Sequence, residues 1–330
     1  MKKIDQTIEQ LVSERNSEKF LFTAGPASLL PQNLTGLRPC FGRGDEDYLV
    51  VENKVLAGIR SLSGVNNLVR LQGSASLAIE IMTLNFLQGR VLVIQTGYYS
   101  DRLKWMAESA KRRTGAISSV ESINWRDLDS VGGQFDWVLA CRTETSCGLL
   151  LPIGQLYGLV KRLKSKLMLD ATASIGLEDG HECADAMAFS SCKGLFGLTG
   201  ASFIAYQDLP VVDVDSFYLR LDTHTEKKMT GPYHSICSLL DVLPRHSDFR
   251  NAVIENKQTF QGRMKPFLTL PEVNQPLLCT HVKCEIKSND PRAVLYKPRG
   301  ILSGSVVCHL GEAHMGRKAH GEILHVLKGE

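Results

Sequence analysis

A lysine stands in the stretch Met187-Ala-Phe-Ser-Ser-Cys-Lys-Gly194 where a short apolar run gives way to glycines at 194, 197 and 200. A second apolar run starts at Ala201, so the spacing predicts strand, turn, strand with one amine at the mouth of a sheet. Burial penalises an ammonium, so a lysine so placed sheds its proton more easily and can attack a carbonyl; the alternative is a surface lysine in a glycine-rich turn. Other segments bear on that choice. Asp170 ends the apolar run Leu167-Met-Leu169, where a carboxylate needs a cation or serves as a helix cap. Gly73-Ser-Ala-Ser76 joins a short strand to a helix. Free amides and hydroxyls there suit a phosphate dianion, or Ser74 is an ordinary cap. Tyr99, in Gly97-Tyr-Tyr-Ser100, follows the run Val91–Ile94 and offers an aromatic face or core packing. The polar loop Cys141–Gly148 follows Trp137–Ala140.

A reactive lysine, a buried carboxylate, an aromatic face and a phosphate cradle together meet the needs of one cofactor, pyridoxal 5'-phosphate. The lysine forms a Schiff base, the aspartate keeps the ring nitrogen protonated, and the ring draws electrons from the substrate carbon. No Gly-Lys-Ser/Thr phosphate loop and no Gly-x-Gly-x-x-Gly fingerprint occurs. Cys308, His309, His314 and His320 lack the spacing of a metal site, so no metal is expected.

The elements that must position these residues alternate. Residues 1–19 have the pattern of an exposed helix and 27–45 of a loop. A helix is expected over 47–62, a strand over 67–71 and a helix to about Leu87. Strands at 91–94, 137–140 and 167–169 then alternate with helices over 100–111 and 153–163. That order predicts an α/β fold with a mostly parallel, doubly wound sheet, and ligands bind beyond the carboxyl ends of such strands. Past residue 210 the pattern shifts to helices over 235–243 and 254–264, strands over 279–286 and 293–295, and a last helix near 315–328. The expected organisation is an N-terminal helical arm (1–19), a large domain (20–245) and a small C-terminal α+β domain (246–330).

With 330 residues, 43% of them hydrophobic, the chain can bury a large core. Lys and Arg (38) nearly balance Asp and Glu (35), which gives no electrostatic reason to expect nucleic acid or an anionic membrane as partner. No apolar run is long enough for a membrane helix, and the polar first twenty residues are unlike a secretory signal. Nine cysteines without a Cys-x-x-Cys pair fit a reducing cytoplasm.

The motifs resemble those of the class V aminotransferases among the fold-type I pyridoxal-phosphate enzymes over residues 20–245, and more weakly to about 316. Phe22-Thr-Ala-Gly-Pro26 is similar to the family's opening segment. Leu71-Gln-Gly-Ser-Ala-Ser76 is closest to the phosphate loop of 2-aminoethylphosphonate:pyruvate aminotransferases, with alanine(serine)–glyoxylate aminotransferases also near. Glu144-Thr-Ser-Cys-Gly148, Asp170-Ala-Thr-Ala-Ser-Ile-Gly176 and Ser190-Ser-Cys-Lys-Gly194 match further family segments. The resemblance implies a seven-stranded sheet and transfer of an amino group between a small amine and a 2-oxo acid such as pyruvate or glyoxylate. By it, Lys193 bonds the cofactor and moves the proton, Asp170 meets the ring nitrogen and Tyr99 stacks on the ring. Ser74, Ala75 and Ser76 hold the phosphate, Thr145 meets the ring hydroxyl, and Ser190 belongs to the lysine motif. Thr230 reaches the phosphate of the neighbouring subunit in a homodimer.

Two positions depart from the family. Cys192 stands where many members carry Gln or Asn. Val306 stands where an arginine makes a bidentate clamp on the substrate carboxylate, which valine cannot do. Arg43, in Gly42–Tyr48, is the expected replacement, with Arg299 the other candidate. The alternatives to an aminotransferase are a cysteine desulfurase or lyase using Cys308 as nucleophile, and a non-catalytic protein on the same fold.

Overall fold

Near-continuous apolar strands need cover on both faces, and the helices supply it. The computed structural model describes residues 6–39, 44–226, 229–300, 302–313, 321 and 324–329. In chain order its first elements are α1 (Ile8–Ser17), β1 (Phe20–Phe22), α2 (Pro31–Thr35), α3 (Glu46–Ser63), β2 (Asn67–Gln72), α4 (Ala75–Phe86), β3 (Gly89–Gln95), α5 (Tyr98–Thr114) and β4 (Ile117–Asn124). Next come β5 (Trp137–Cys141), β6 (Thr143–Glu144), β7 (Leu149–Leu150), α6 (Ile153–Leu163), β8 (Lys166–Asp170), β9 (Ala186–Ser190) and β10 (Ala201–Tyr206). The remainder holds α7 (Leu221–Thr225), α8 (Tyr233–Cys237), α9 (His246–Met264), β11 (Cys279–Val282), β12 (Ile286–Ser288), β13 (Ala293–Leu295), β14 (Ser305–Cys308) and β15 (Leu327–Gly329).

Seven strands form one sheet in the order β2-β10-β9-β8-β5-β3-β4. β10 runs antiparallel to both its neighbours and the other pairs are parallel. The carboxyl ends of β2, β3, β5, β8 and β9 therefore share one edge. Leu92, Ile94, Val138, Leu167, Leu169 and Phe189 pack on the side of α3, α6 and α8. Val91, Val93, Leu139, Met168, Ala186 and Ala188 pack on the side of α4 and α5. Successive residues of each strand thus belong to opposite layers, as a pleated, doubly covered sheet requires.

Local chemistry fixes the ends of the helices. The Asp45 carboxylate caps α3 by accepting from Tyr48 N, and Gly64 ends it with φ 68°. α1 is mostly exposed and starts with a Thr7–Gln10 capping box. The C-terminal strands pair as β11–β14 and β12–β15, both antiparallel, while β13 pairs with β1. Phe22 of β1 packs with Phe260, Val282 and Val307, so β1 is tied to the C-terminal strands and α9.

The elements differ from the expected ones in several places: the 254–264 helix begins at His246, and the 279–286 strand is split into β11 and β12. The loop over 27–45 contains α2, set by Pro31 at its first turn and by buried Asn33, which bonds Phe196 O. β4 is an edge strand whose partly exposed, serine-rich sequence lacks an apolar run. The 235–243 helix is a short α8 followed by a tight turn. The helix expected near 315–328 falls largely outside the described residues, and where the chain is described it closes on β15, paired with β12.

Candidate active site

Lys193, Asp170, Tyr99 and Thr145 line one cleft at the carboxyl edge of the sheet, with Arg102 and Thr172. A larger groove between residues 206–214 and 220–225 holds none of the sequence-predicted site residues.

The turn carrying Lys193 is held from several sides. Ser191 N bonds Ala201 O at 3.0 Å, and Gly197 N bonds Ser191 O at 2.8 Å. Phe196 takes a left-handed φ of 57°, uncommon for a bulky side chain; its buried ring, packed on Phe249, holds it there. Burial lowers the pKa of His246, whose neutral ring donates Nε2–H to Gly194 O at 2.7 Å. Gly25, at φ +121°, lets the Thr23–Pro26 segment run against the lysine stem: a Cβ there would stand 2.9 Å from Lys193 Cγ. Among the described residues the Lys193 amine has no hydrogen bond or ion pair, which leaves its nitrogen available in the cleft.

Asp170 ends β8 almost wholly buried. Its Oδ1 accepts from Thr172 N at 3.0 Å and its Oδ2 faces Arg102 Nη2 at 3.4 Å. Arg102 had no motif to announce it. It lies three residues after Tyr99 on α5, the spacing that brings two side chains together on a helix, and its guanidinium sits 4.8 Å from the Tyr99 ring centre. Its Nη1 donates to Ser76 Oγ at 3.0 Å, so one side chain joins the α4 N-terminus to the carboxylate.

Glu144 is the second residue whose part was not legible. Fully buried, it accepts from Tyr99 N at 3.0 Å, Ser100 N at 3.1 Å and Thr96 Oγ1 at 3.2 Å, and also from Ser146 Oγ. A carboxylate on the first amides of α5 satisfies donors that have no intrahelical partner and suits the positive end of the helix. It thereby fixes the backbone of Tyr99.

Several groups around the cleft lack partners that a phosphorylated, ring-bearing cofactor would provide. Ser74 is the N-cap residue of α4, yet its hydroxyl makes no capping bond. Arg102 Nε and Thr172 Oγ1 are buried without a hydrogen-bond partner. A dianion on the Ser74–Ser76 amides and a ring between Tyr99 and Asp170 would suit these groups, so the residues present fit the cofactor expected from the sequence.

The remaining expected residues are placed as follows. Ser190 is buried at the end of β9, with Cys192 Sγ 3.7 Å from its hydroxyl. Thr145 Oγ1 lies 3.4 Å from Tyr296 Oη, and burial raises the pKa of that phenol, so it stays protonated. Thr230 is exposed, in a small groove with Arg70 and Gln72 rather than in the cleft. Arg43 lies outside the described residues, as do His314 and His320. Among the described residues no group of side chains has the make-up of a metal site. Val306 is in the core beside Ala24 and Val242. Cys308 is fully buried and pairs across the ladder with Cys279. Burial pushes its thiol well above the ordinary range, which disfavours the thiolate a nucleophile needs.

No family model matches the chain. It is 26% identical to a 2-aminoethylphosphonate–pyruvate transaminase of Pseudomonas putida (strain W619), over 69% of this chain and 68% of that protein. It is likewise 26% identical to the enzyme of that name from Pseudomonas aeruginosa, over 79% of each chain. An alanine–glyoxylate aminotransferase from Nostoc sp. superposes with a TM-score of 0.79 at 17% identity, covering 93% of this chain and 94% of that one. A pyridoxamine–pyruvate aminotransferase from Mesorhizobium loti gives 0.76 at 17% identity, covering 93% and 91%. The chain has the fold of these aminotransferases, and the similarities bear out its resemblance to class V. No helix among the described residues is long and apolar enough to cross a membrane.

Proposed function

We propose that the chain is a pyridoxal-phosphate-dependent aminotransferase that moves an amino group between a small amine and a 2-oxo acid such as pyruvate or glyoxylate. The observation that carries this reading is the unpartnered Lys193 amine in the same cleft as buried Asp170. The cofactor, when bound, supplies an electron sink for the substrate's α-carbon.

The chain's own residues do the rest. The amides and hydroxyls of Ser74, Ala75 and Ser76 hold the phosphate, assisted by Arg102 on Ser76. Tyr99, fixed by Glu144, provides the stacking face, and Thr145 meets the ring hydroxyl. Asp170 would hold the ring nitrogen in its protonated form, with Ser190 at the base of the lysine turn. Lys193 Nζ would hold the cofactor and, as a free amine, would accept the proton of the substrate's α-carbon. Buried Cys308 does not suit the desulfurase alternative.

The same reading makes the protein a homodimer in which Thr230 of one subunit reaches the phosphate site of the other. Exposed Leu209, Val211, Phe217 and Tyr218 on the nearby chain support a covered face there. It retains the division into an arm, 1–19, a cofactor-binding unit, 20–245, and a C-terminal unit, 246–330. It also puts the protein in the cytoplasm, in keeping with its free cysteines.

The decisive experiment compares wild type with Lys193→Ala after loading with the cofactor. Wild type is expected to show the visible absorbance of a lysine-bound cofactor and amine-dependent turnover, and the variant neither. Turnover retained by Lys193→Ala would exclude the reading.

A further inference from the structure

Val306, where the resemblance implies a substrate-binding arginine, is buried and does not line the cleft. After β13 the chain continues as Tyr296-Lys-Pro-Arg299, beside residues that line the cleft. Tyr296 Oη reaches Thr145 Oγ1 at 3.4 Å, and three residues later Arg299 Nη1 donates to Tyr98 Oη at 3.0 Å. The guanidinium also lies 5.4 Å from the centre of the Tyr98 ring, which itself meets Tyr99 edge-on at 5.4 Å. Arg299 is thus linked to Tyr99 through Tyr98 and lies three residues after the tyrosine that reaches Thr145.

Its pairing is unusual for an exposed arginine. Among the described residues it has no carboxylate partner, and Tyr98 is its one hydrogen-bond acceptor. Most of the five N–H donors of the guanidinium are left for something else. Arg102, which does line the cleft, is already engaged by Asp170 and Ser76. A planar fork braced by a phenol beside an amine-handling cleft suits an anion with two oxygens to offer.

We propose that Arg299, held by Tyr98, is the specificity-determining residue that binds the anionic end of the amine substrate, a carboxylate or a phosphonate. This rests on the aminotransferase reading and adds which substrates it accepts: small amines whose far end is negatively charged.

The test uses the full chain with cofactor, as wild type, Arg299→Gln, Arg299→Lys and Arg43→Gln. Absorbance of the lysine-bound cofactor is recorded first; its absence from wild type would overturn the aminotransferase reading and the Arg299 role with it. KM and kcat are then measured for 2-aminoethylphosphonate, L-alanine and propylamine, which has no anionic end. Calorimetry gives the dissociation constants of methylphosphonate and acetate, with and without cofactor. Arg299→Gln is expected to keep the cofactor absorbance, to raise KM for the anionic amines about tenfold or more, to leave propylamine unchanged, and to weaken binding of one or both anions by a similar factor. Which anionic amine loses more identifies the carboxylate or the phosphonate as the preferred end. Arg299→Lys is expected to recover part of the loss, since it keeps the charge and loses the fork. The proposal is overturned if Arg299→Gln leaves all KM values unchanged, if propylamine suffers equally, or if Arg43→Gln alone carries the effect.

Discussion

Arg102 and Asp170 meet at 3.4 Å inside the cleft, the carboxylate almost wholly buried and the guanidinium about a quarter exposed. The same arginine bonds Ser76 and covers Tyr99. Without a cofactor, it is the cation that keeps the Asp170 carboxylate compensated.

Arg102→Met should therefore weaken the cofactor-free protein. Breaking a fully buried pair costs about 3–5 kcal/mol; with one partner partly in water, a loss of about 2 kcal/mol is expected in urea unfolding. Adding pyridoxal phosphate should narrow the difference, because a protonated ring nitrogen then faces Asp170. An equal loss with and without cofactor would assign Arg102 to packing alone.

Glu144→Ala removes one carboxylate from several donors at once. The amides of Tyr99 and Ser100 lose their acceptor, a carboxylate that is itself fully buried. The expected cost is about 2–3 kcal/mol, read as a lower Tm, together with weaker cofactor binding because Tyr99 is no longer fixed. Glu144→Gln should be intermediate, since its amide places donors where donors already point. Unchanged cofactor affinity in Glu144→Ala would separate this residue from the site.

How these residues escaped the sequence reading has a physical cause. Lys193, Asp170 and Tyr99 are legible because each follows an apolar strand, and parallel strands deliver their carboxyl ends to one edge. Arg102 and Glu144 act through partners far along the chain: 68 residues separate Arg102 from Asp170, and 45 separate Glu144 from Tyr99. No local period encodes such pairings. β4 was missed for the opposite reason, since an edge strand with open faces needs no apolar run. The β15 strand exists through its pairing with Ile286–Ser288, a contact that local propensity does not specify.

His181 gives the stability an acid limb. Burial is the main cause that lowers its pKa from 6.5 to about 3, with Arg142 adding to it, while Ser174 Oγ holds Nε2 at 2.9 Å. The folded state thus keeps the ring neutral where the unfolded chain would protonate it. Stability is complete above pH 6.5 and falls as pH drops toward 3, by about 1.4 kcal/mol for each pH unit once the unfolded histidine is charged. Urea midpoints from pH 7.5 to 4.5 should show that slope in wild type and a shallower one in His181→Gln. Parallel slopes would mean that other groups set the acid limb.

Val306→Arg introduces the residue type that the resemblance implies at this position and is expected to fail. Val306 is 2% exposed, on β14 opposite His281, in a cluster with Ala24, Val242, Cys308 and Leu310. An arginine there overfills a packed core and buries a guanidinium, and a loss of about 3 kcal/mol or more follows from those two effects together. No gain in affinity for anionic amines should accompany it, because the new side chain starts from the core, away from the Tyr98–Arg299 pair. The combination Val306→Arg with Arg299→Gln separates the two positions. If it is no better than Arg299→Gln alone, recognition belongs to the Tyr98–Arg299 side. If it folds with wild-type stability and regains affinity for anionic amines, β14 borders the substrate and Arg299 loses its role.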